Sequence, residues 1–204
     1  MNTTPQHAQD NQDTQDTQDT QATQVALVTG ANRGIGRAIA RGLGERGFQV
    51  WIGSRDETAA RETADDLGGD GIDARAVQLD VTSQQSIRAA VETVEGQTHA
   101  LDVLVNNAGI NFGPPGDPST ESIEDVAAMF DTNTFGPLRV TQAFLPLLRR
   151  AAVGRVVMAT SGLGSQAGTL DLSHENWGVA FAGYSASKTA LNMLTIKLAK
   201  ELLT

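Results

Sequence analysis

Short apolar runs alternate with longer segments of helical periodicity from residue 25 to the end of the chain. The apolar runs predict strands over residues 25–29, 48–53, 74–79, 101–106 and 155–159. The segments between and after them predict helices over 36–46, 57–67, 83–95 and 120–150, with breaks near Gly136–Pro137 and Pro146, and from about 182 onward. Strands that alternate with helices form a parallel sheet with helices on both faces and right-handed crossovers. The sequence therefore predicts one α/β domain with a doubly wound parallel sheet.

The two ends of the chain depart from this pattern. Residues 1–24 repeat Asp-Thr-Gln at 13–21 and hold no large apolar residue except Met1, so we expect a disordered, low-complexity tail. Two interpretations of the tail stay open, a solubilising or docking arm and a dispensable extension. At the other end, residues 200–204 stop inside an amphipathic helical pattern without a Gly cap or a Pro. We therefore expect the domain, residues 25–204, to be incomplete at its C-terminus.

Composition excludes several classes of function. The 204 residues contain no Cys, which excludes disulfides, thiolate metal sites and a Cys nucleophile, and we predict no metal site. The formal net charge of −9 argues against a nucleic-acid-binding surface. No apolar run approaches the roughly 20 residues of a membrane span, and the N-terminus lacks the pattern of a signal peptide. We expect a cytoplasmic protein that binds neither nucleic acid nor membrane.

A glycine-rich turn follows the first predicted strand. Gly30, Gly34 and Gly36 lie where the strand passes into the first helix. Glycines there allow a tight turn and let the backbone approach a pyrophosphate, which the free N–H groups of the helix N-terminus bind. Glycines also simply make turns, so the turn taken alone leaves both interpretations open. The spacing is Gly-x-x-x-Gly-x-Gly rather than the commoner Gly-x-Gly-x-x-Gly.

That spacing resembles the short-chain dehydrogenase/reductase family. Four further features match the family in order and strand placement: Asn106-Asn107-Ala108-Gly109, Asn133, Ser161 and Tyr184-x-x-x-Lys188. The resemblance covers residues 25–204. It implies a Rossmann-type fold with strand order 3-2-1-4-5, from which the family's last strands are missing. It also implies a reductase that resembles carbonyl reductases and transfers a hydride between a nicotinamide cofactor and a carbonyl or alcohol substrate.

The resemblance favours NADPH over NAD as the cofactor. An Arg after the second strand pairs with the 2′-phosphate of NADP, where an acid would accept from the ribose of NAD. Here that position is Arg55, and Arg33 is a second cation near the same phosphate; we interpret Asp56 as a helix N-cap. We expect Asp80 to contact adenine, with a turn role as the alternative, and Asn107 to hold the strand ends together. The cofactor residues that the resemblance implies are Gly30, Asn32, Arg33, Gly34, Ile35, Gly36, Arg55, Asp80, Val81, Asn106, Ala108, Gly109, Tyr184 and Lys188.

The resemblance assigns the chemistry to four side chains. Tyr184 and Lys188 are four residues apart, so they lie on one face of the last helix. Tyr184 would be the general acid or base, with the Lys188 ammonium favouring its phenolate form and binding the nicotinamide ribose. Ser161 would hydrogen-bond the reacting oxygen, with Ser165 as a rival, and Asn133 would complete a proton relay through water.

The segment between Ser161 and Tyr184 is longer than is usual in the family. Its His174 and Trp177 are either substrate contacts or loop packing, and the latter is our expectation. Such an insertion also leaves open whether the protein is a monomer or a homo-oligomer. We expect the fifth strand to be an exposed apolar edge and a site of aggregation. The alternatives to a reductase are a nucleotide-binding pseudoenzyme or inactive fragment, and, less favoured, a dehydratase or epimerase with tightly held NAD.

Overall fold

The computed structural model describes residues 23–112 and 118–203. Of the predicted tail, residues 1–22 lie outside the described part, so the prediction of disorder is untested. Within the described residues, no helix is both long and apolar enough to cross a membrane.

The strands form one parallel sheet. They are β1 (Val25–Thr29), β2 (Gln49–Ser54), β3 (Ala74–Gln78), β4 (Val103–Asn106) and β5 (Arg155–Met158). Their order across the sheet is β3-β2-β1-β4-β5, and each neighbouring pair is parallel. The predicted strands and their order are confirmed, with each strand end within two residues of its predicted position. The strand order reverses at β1, since β2 and β3 are added on one side of it and β4 and β5 on the other. The carboxyl ends of β1, β2 and β4 therefore surround one crevice, where ligands bind in open α/β sheets.

The described part contains seven α-helices, five between the strands and two after β5. They are α1 (Gly34–Gly44), α2 (Glu57–Gly69), α3 (Gln84–Glu95), α4 (Ile123–Phe130), α5 (Gly136–Leu148), the short α6 (Gln166–Leu170) and α7 (Ala182–Leu202). Side-chain caps explain the starts of four of them, α2, α3, α4 and α6. Asp56 accepts a hydrogen bond from the Ala59 N–H at the start of α2, and Ser83 accepts one from the Ser86 N–H at the start of α3. The interpretation of Asp56 as an N-cap is confirmed.

The region predicted as one helix with two breaks is organised differently. A π-helical turn, Asp131–Phe135, joins α4 to α5 without interrupting the helical path. Pro137 lies in the first turn of α5, where its missing N–H needs no partner. The predicted break at Pro146 is wrong, because α5 continues past it to Leu148. Pro146 lies in the last turn of α5, two residues before the helix ends.

Alternating strand residues pack into two hydrophobic layers, one on each face of the sheet. Leu27 and Leu104 pack with Phe144 of α5 on one face, whereas Val28 and Val105 pack on the other face. These residues are at most 4% exposed, as expected for a sheet covered on both sides. At the edge, β5 has β4 as its one neighbouring strand in the described part, and Val157 is 46% exposed. The exposed apolar edge is confirmed, and its aggregation stays a prediction.

Candidate active site

The glycine-rich turn after β1 is an open cradle of backbone. Gly30 and Gly34 have φ angles of +64° and +55°, which residues with a Cβ rarely adopt. A Cβ added to Gly30 would lie 3.0 Å from the Ala108 Cα, and one added to Gly36 would clash with the Asn107 amide and the Gly30 carbonyl. The N-cap of α1, Arg33, makes no capping hydrogen bond through its side chain. The first N–H groups of α1 are therefore positioned to bind an anion.

A cleft of about 780 Å³ runs from this turn along the carboxyl ends of the strands. Eleven of the predicted cofactor residues line it: Gly30, Asn32, Arg33, Gly34, Ile35, Gly36, Arg55, Asp80, Val81, Ala108 and Gly109. The sequence analysis did not assign seven further lining residues to the cofactor: Ser54, Asp56, Leu79, Thr82, Asn107, Ile110 and Thr132. Most of these seven are chain neighbours of predicted cofactor residues at the carboxyl ends of β2, β3 and β4. Their place at a strand end could have identified them from the sequence.

Two arginines at this cleft have no acidic partner in the described part of the chain. Arg33 and Arg55 are both exposed. Among residues 23–112 and 118–203, no carboxylate lies within 4 Å of either guanidinium. Their positive charge therefore faces the cleft and solvent, and both side chains are available to a phosphate.

The adjacent amides Asn106 and Asn107 have opposite orientations. The Asn107 Nδ2 donates to the carbonyl of Thr29 at 2.9 Å, which ties the end of β4 to the end of β1. The prediction that Asn107 holds the strand ends together is confirmed. The buried Asn106 instead donates to the Thr141 hydroxyl on α5 at 3.0 Å and does not line the cleft. The structure thus brings Asn107, and not the Asn106 side chain, to the predicted cofactor site.

Asp80 lies at the cleft and also shapes its own turn. Its Oδ1 accepts hydrogen bonds from the Thr82 N–H at 2.9 Å and from the Thr82 hydroxyl at 2.7 Å. The turn role that we held open for Asp80 is therefore present. Its contact with adenine stays a prediction.

Lys188 is a buried cation beside the far end of the cleft. It is 4% exposed, and its Nζ donates to the carbonyl of Ala159, just after β5, at 2.9 Å. Burial lowers the pKa of Lys188 below its ordinary value of 10.5. The Lys188 Nζ lies 5.8 Å from the ring centroid of Tyr184. A Cβ added to Gly109 would lie 3.5 Å from the same Nζ. Lys188 thus connects the cleft to the half-buried ring of Tyr184.

Asn133 clamps the loop after β4 to α7. It is fully buried in the π-helical turn, where its Oδ1 accepts from the Ile110 N–H and its Nδ2 donates to the Ile110 carbonyl, both at 2.8 Å. The Nδ2 also donates to the hydroxyl of Ser187 at 3.1 Å. Both amide hydrogens of Asn133 are therefore used in holding the structure. A part for Asn133 in a proton relay stays a prediction, and Ser187 is a site residue that the sequence analysis missed.

Both candidate serines accept local backbone hydrogen bonds. The Ser161 Oγ accepts from the Leu163 N–H, and the Ser165 Oγ accepts from the Gly168 N–H at the start of α6. Ser161 lies at the head of the short turn Gly162–Gly164, which packs against α7 beside Lys188. Our preference for Ser161 stays a prediction that this placement favours.

The two side chains of the long segment before α7 for which substrate contact was the alternative, His174 and Trp177, are exposed. His174 accepts from the Asn176 N–H through Nδ1, which is a packing role within the loop. Trp177 is 51% exposed. The His174 side chain thus makes a hydrogen bond within its own loop, and the choice between loop packing and substrate contact stays open for both residues.

A family model described as short chain dehydrogenase matches residues 24–204. The chain belongs to this family. Among curated relatives, it is 34% identical over 189 residues to the "Short-chain dehydrogenase anuI" of Penicillium roqueforti, aligning 87% of this chain with 73% of the relative. It is 38% identical over 179 residues to the "Rhamnolipids biosynthesis 3-oxoacyl-[acyl-carrier-protein] reductase" of Pseudomonas aeruginosa, with 87% and 66% covered.

Solved structures share both fold and sequence with the chain. The "Pseudomonas aeruginosa RhlG/NADP active-site complex" superposes with a TM-score of 0.77 at 34% identity, covering 88% of this chain and 67% of that one. A gluconate 5-dehydrogenase from Burkholderia cenocepacia, in complex with NADP and tartrate, gives a TM-score of 0.76 at 30% identity, covering 87% and 65%. Among the curated relatives, the chain spans 66% of the Pseudomonas reductase and 58% of a 3-ketodihydrosphingosine reductase from Bacteroides thetaiotaomicron.

Proposed function

We propose that the chain is an NADPH-dependent oxidoreductase that transfers a hydride between nicotinamide and a carbonyl or alcohol substrate. The observation that carries the proposal is the buried Lys188 ammonium, which lies between the Gly109 end of the cleft and the ring of Tyr184. Tyr184 carries the hydroxyl that would exchange a proton with a carbonyl or alcohol oxygen, and the Lys188 charge lies 5.8 Å from its ring centroid.

The residues at the cleft fit a dinucleotide. A Cβ at Gly30 or Gly36 would collide with neighbouring protein atoms, so glycine is needed there for the tight turn that would hold a pyrophosphate. The start of α1 would supply N–H groups to the same pyrophosphate. Arg33 and Arg55 would hold the 2′-phosphate that distinguishes NADPH from NADH. NADP in the structures of two relatives supports the same choice. The cofactor, when bound, supplies the hydride chemistry.

The chain's own side chains would then control the proton and the substrate oxygen. Tyr184 would donate its hydroxyl proton to the developing alkoxide in the reduction direction and accept it in the reverse direction. Ser161 would donate a hydrogen bond to the same oxygen, which stabilises its negative charge. Lys188 would hold its charge beside Tyr184 because its Nζ is fixed on the Ala159 carbonyl. Asn133 would keep the loop after β4 and α7 at a fixed separation.

A nucleotide-binding protein without turnover is the second candidate. The residues that line the cleft are, apart from Thr132, those predicted to hold the nucleotide or their chain neighbours, and they do not include Ser161, Tyr184 or Lys188. This lining favours a site that binds a nucleotide.

Calorimetric titration and a turnover assay on the same preparation distinguish the two. We expect the 204-residue chain to bind NADPH at least tenfold more tightly than NADH and to oxidise NADPH with a panel of aldehydes and ketones. Tyr184→Phe should retain NADPH affinity within about threefold and lose turnover by more than about 100-fold. Binding without turnover in the wild-type chain would favour the second candidate, and no binding of either nucleotide would contradict both.

A further inference from the structure

The first turn of α7, which carries Tyr184, has no cap from its own sequence. Its N-cap, Phe181, makes no capping hydrogen bond through its side chain and has a φ angle of +82°, in the left-handed region. The first turn contains no acidic residue. A helix start of this kind leaves backbone N–H groups without intrahelical partners and a positive dipole end without compensation.

Glu121 supplies the missing cap from a distant part of the chain. Its Oε2 accepts a hydrogen bond from the Gly183 N–H at 2.6 Å, across 62 residues of sequence. Glu121 is half-buried, just before α4. A carboxylate that accepts a backbone N–H at a helix start makes a short, charge-assisted bond and compensates the helix dipole.

The contacts around Gly183 leave the first turn of α7 little freedom. A Cβ added to Gly183 would lie 2.7 Å from the Met129 Cε and 2.8 Å from the Val126 Cγ2, both on α4. The backbone of α7 at Gly183 therefore packs against side chains of α4. The Glu121 bond fixes the Gly183 N–H, in the residue that directly precedes Tyr184.

We infer that Glu121 is a positioning residue that holds the Tyr184 ring over Lys188 through the Gly183 N–H. The inference rests on the proposed function, because it matters for catalysis only if Tyr184 transfers the proton. Lys188 fixes α7 one turn later through its bond to the Ala159 carbonyl. Tyr184 therefore lies between two fixed points of the helix, the Gly183 N–H and the Lys188 Nζ. Removal of the Glu121 bond releases the first of these points.

The single tyrosine of the chain makes this testable without turnover. Tyr184 is the only Tyr, so a protein labelled with ring-¹³C tyrosine gives signals from this side chain alone. The variants are Glu121→Ala, which removes the acceptor, and Glu121→Gln, whose amide oxygen can still accept from Gly183. Glu124→Ala is the matched control, because this exposed carboxylate lies three residues away and contacts Ser122 rather than α7.

We expect Glu121→Ala to shift or split the Tyr184 ring signals, and Glu121→Gln and Glu124→Ala to leave them as in the wild type. In turnover, Glu121→Ala should lower kcat by about 10- to 100-fold with KM nearly unchanged, and Glu121→Gln should restore most of it. Should Glu121→Ala fail to fold, Glu121→Asp, which shortens the reach by one carbon, takes its place with the same expectation.

Unchanged Tyr184 signals in Glu121→Ala or Glu121→Asp would overturn the inference, as would equal damage in Glu121→Gln. If no variant and no wild-type preparation turns over, the proposed function fails, while the ring signals still decide whether Glu121 positions Tyr184.

Discussion

Replacing Thr29 with valine tests the hydrogen bonds that join the end of β1 to the loop after β4. The Thr29 Oγ1 accepts from the Asn107 N–H at 3.0 Å and from the Ala108 N–H at 2.9 Å, and Thr29 is 1% exposed. Valine has nearly the same shape, so Thr29→Val removes the acceptor with little change in packing. Thr29→Ser is the matched control, since it keeps the acceptor and loses one methyl group.

The loss of stability depends on which hydrogen-bond partners the Asn107 and Ala108 N–H groups keep in Thr29→Val. The Asn107 N–H also approaches the Val105 carbonyl at 3.1 Å, so it keeps a partner. The N–H of the half-buried residue Ala108 loses its partner, which costs about 1–3 kcal/mol. With the weakened Asn107 bond added, we expect Thr29→Val to lower the free energy of unfolding by about 1.5–3 kcal/mol. Thr29→Ser should lower it by only about 0.8 kcal/mol, the value of one buried methyl group.

Thermal unfolding followed by circular dichroism measures the difference. For a domain of this size, the Tm should fall by roughly 3–10 °C in Thr29→Val and by a much smaller amount in Thr29→Ser. NADPH affinity should fall more in Thr29→Val than in Thr29→Ser, because Ala108, whose N–H loses its partner, lines the cleft. Equal destabilisation by the two substitutions would refute the reasoning, since it would show that the hydroxyl contributes nothing beyond the methyl group.

Four further changes probe other parts of the molecule. Burial lowers the pKa of Lys188, so its desolvation penalty is present while the folded protein carries the charge and is relieved as the pH rises towards 10.5. Urea unfolding at increasing alkaline pH should therefore show wild type gaining stability relative to Lys188→Met, and parallel curves would contradict this. Arg55→Glu should weaken NADPH binding by about 10- to 100-fold and leave NADH binding within threefold in calorimetry. Gly164→Ala should destabilise by about 1–3 kcal/mol in thermal unfolding, because its Cβ would lie 3.0 Å from the Lys188 Cβ. Arg150→Ala, which removes a largely exposed ion pair with Glu95, should change stability by less than about 1 kcal/mol.

The strands and the cleft could be predicted from the sequence because their signals are local. Each strand is a short apolar run, and the turn after β1 carries glycines at the two positions where φ is positive, Gly30 and Gly34. Adjacent side chains on a strand point to opposite faces. One of Asn106 and Asn107 therefore had to face α5 and the other the cleft, and the sequence alone does not say which.

The π-helical turn and the Glu121 cap could not be predicted in this way. The turn at Asp131–Phe135 is stabilised by bonds from Asn133 to Ile110 and Ser187, which are 23 and 54 residues away. The Glu121 bond to Gly183 spans 62 residues and belongs to no motif. Interactions of this range depend on how elements pack, and a local pattern carries no information about them.

The amide of Asn133 also limits how this enzyme scaffold can be recombined. The Asn133 side chain makes hydrogen bonds to the backbone of Ile110, in the loop after β4, and to the hydroxyl of Ser187, on α7. A chimera that imports α7 from a relative therefore needs a hydroxyl acceptor at position 187, even if every reacting group is retained. The loop after β4 and α7 should therefore be exchanged together with Asn133, which is bonded to both.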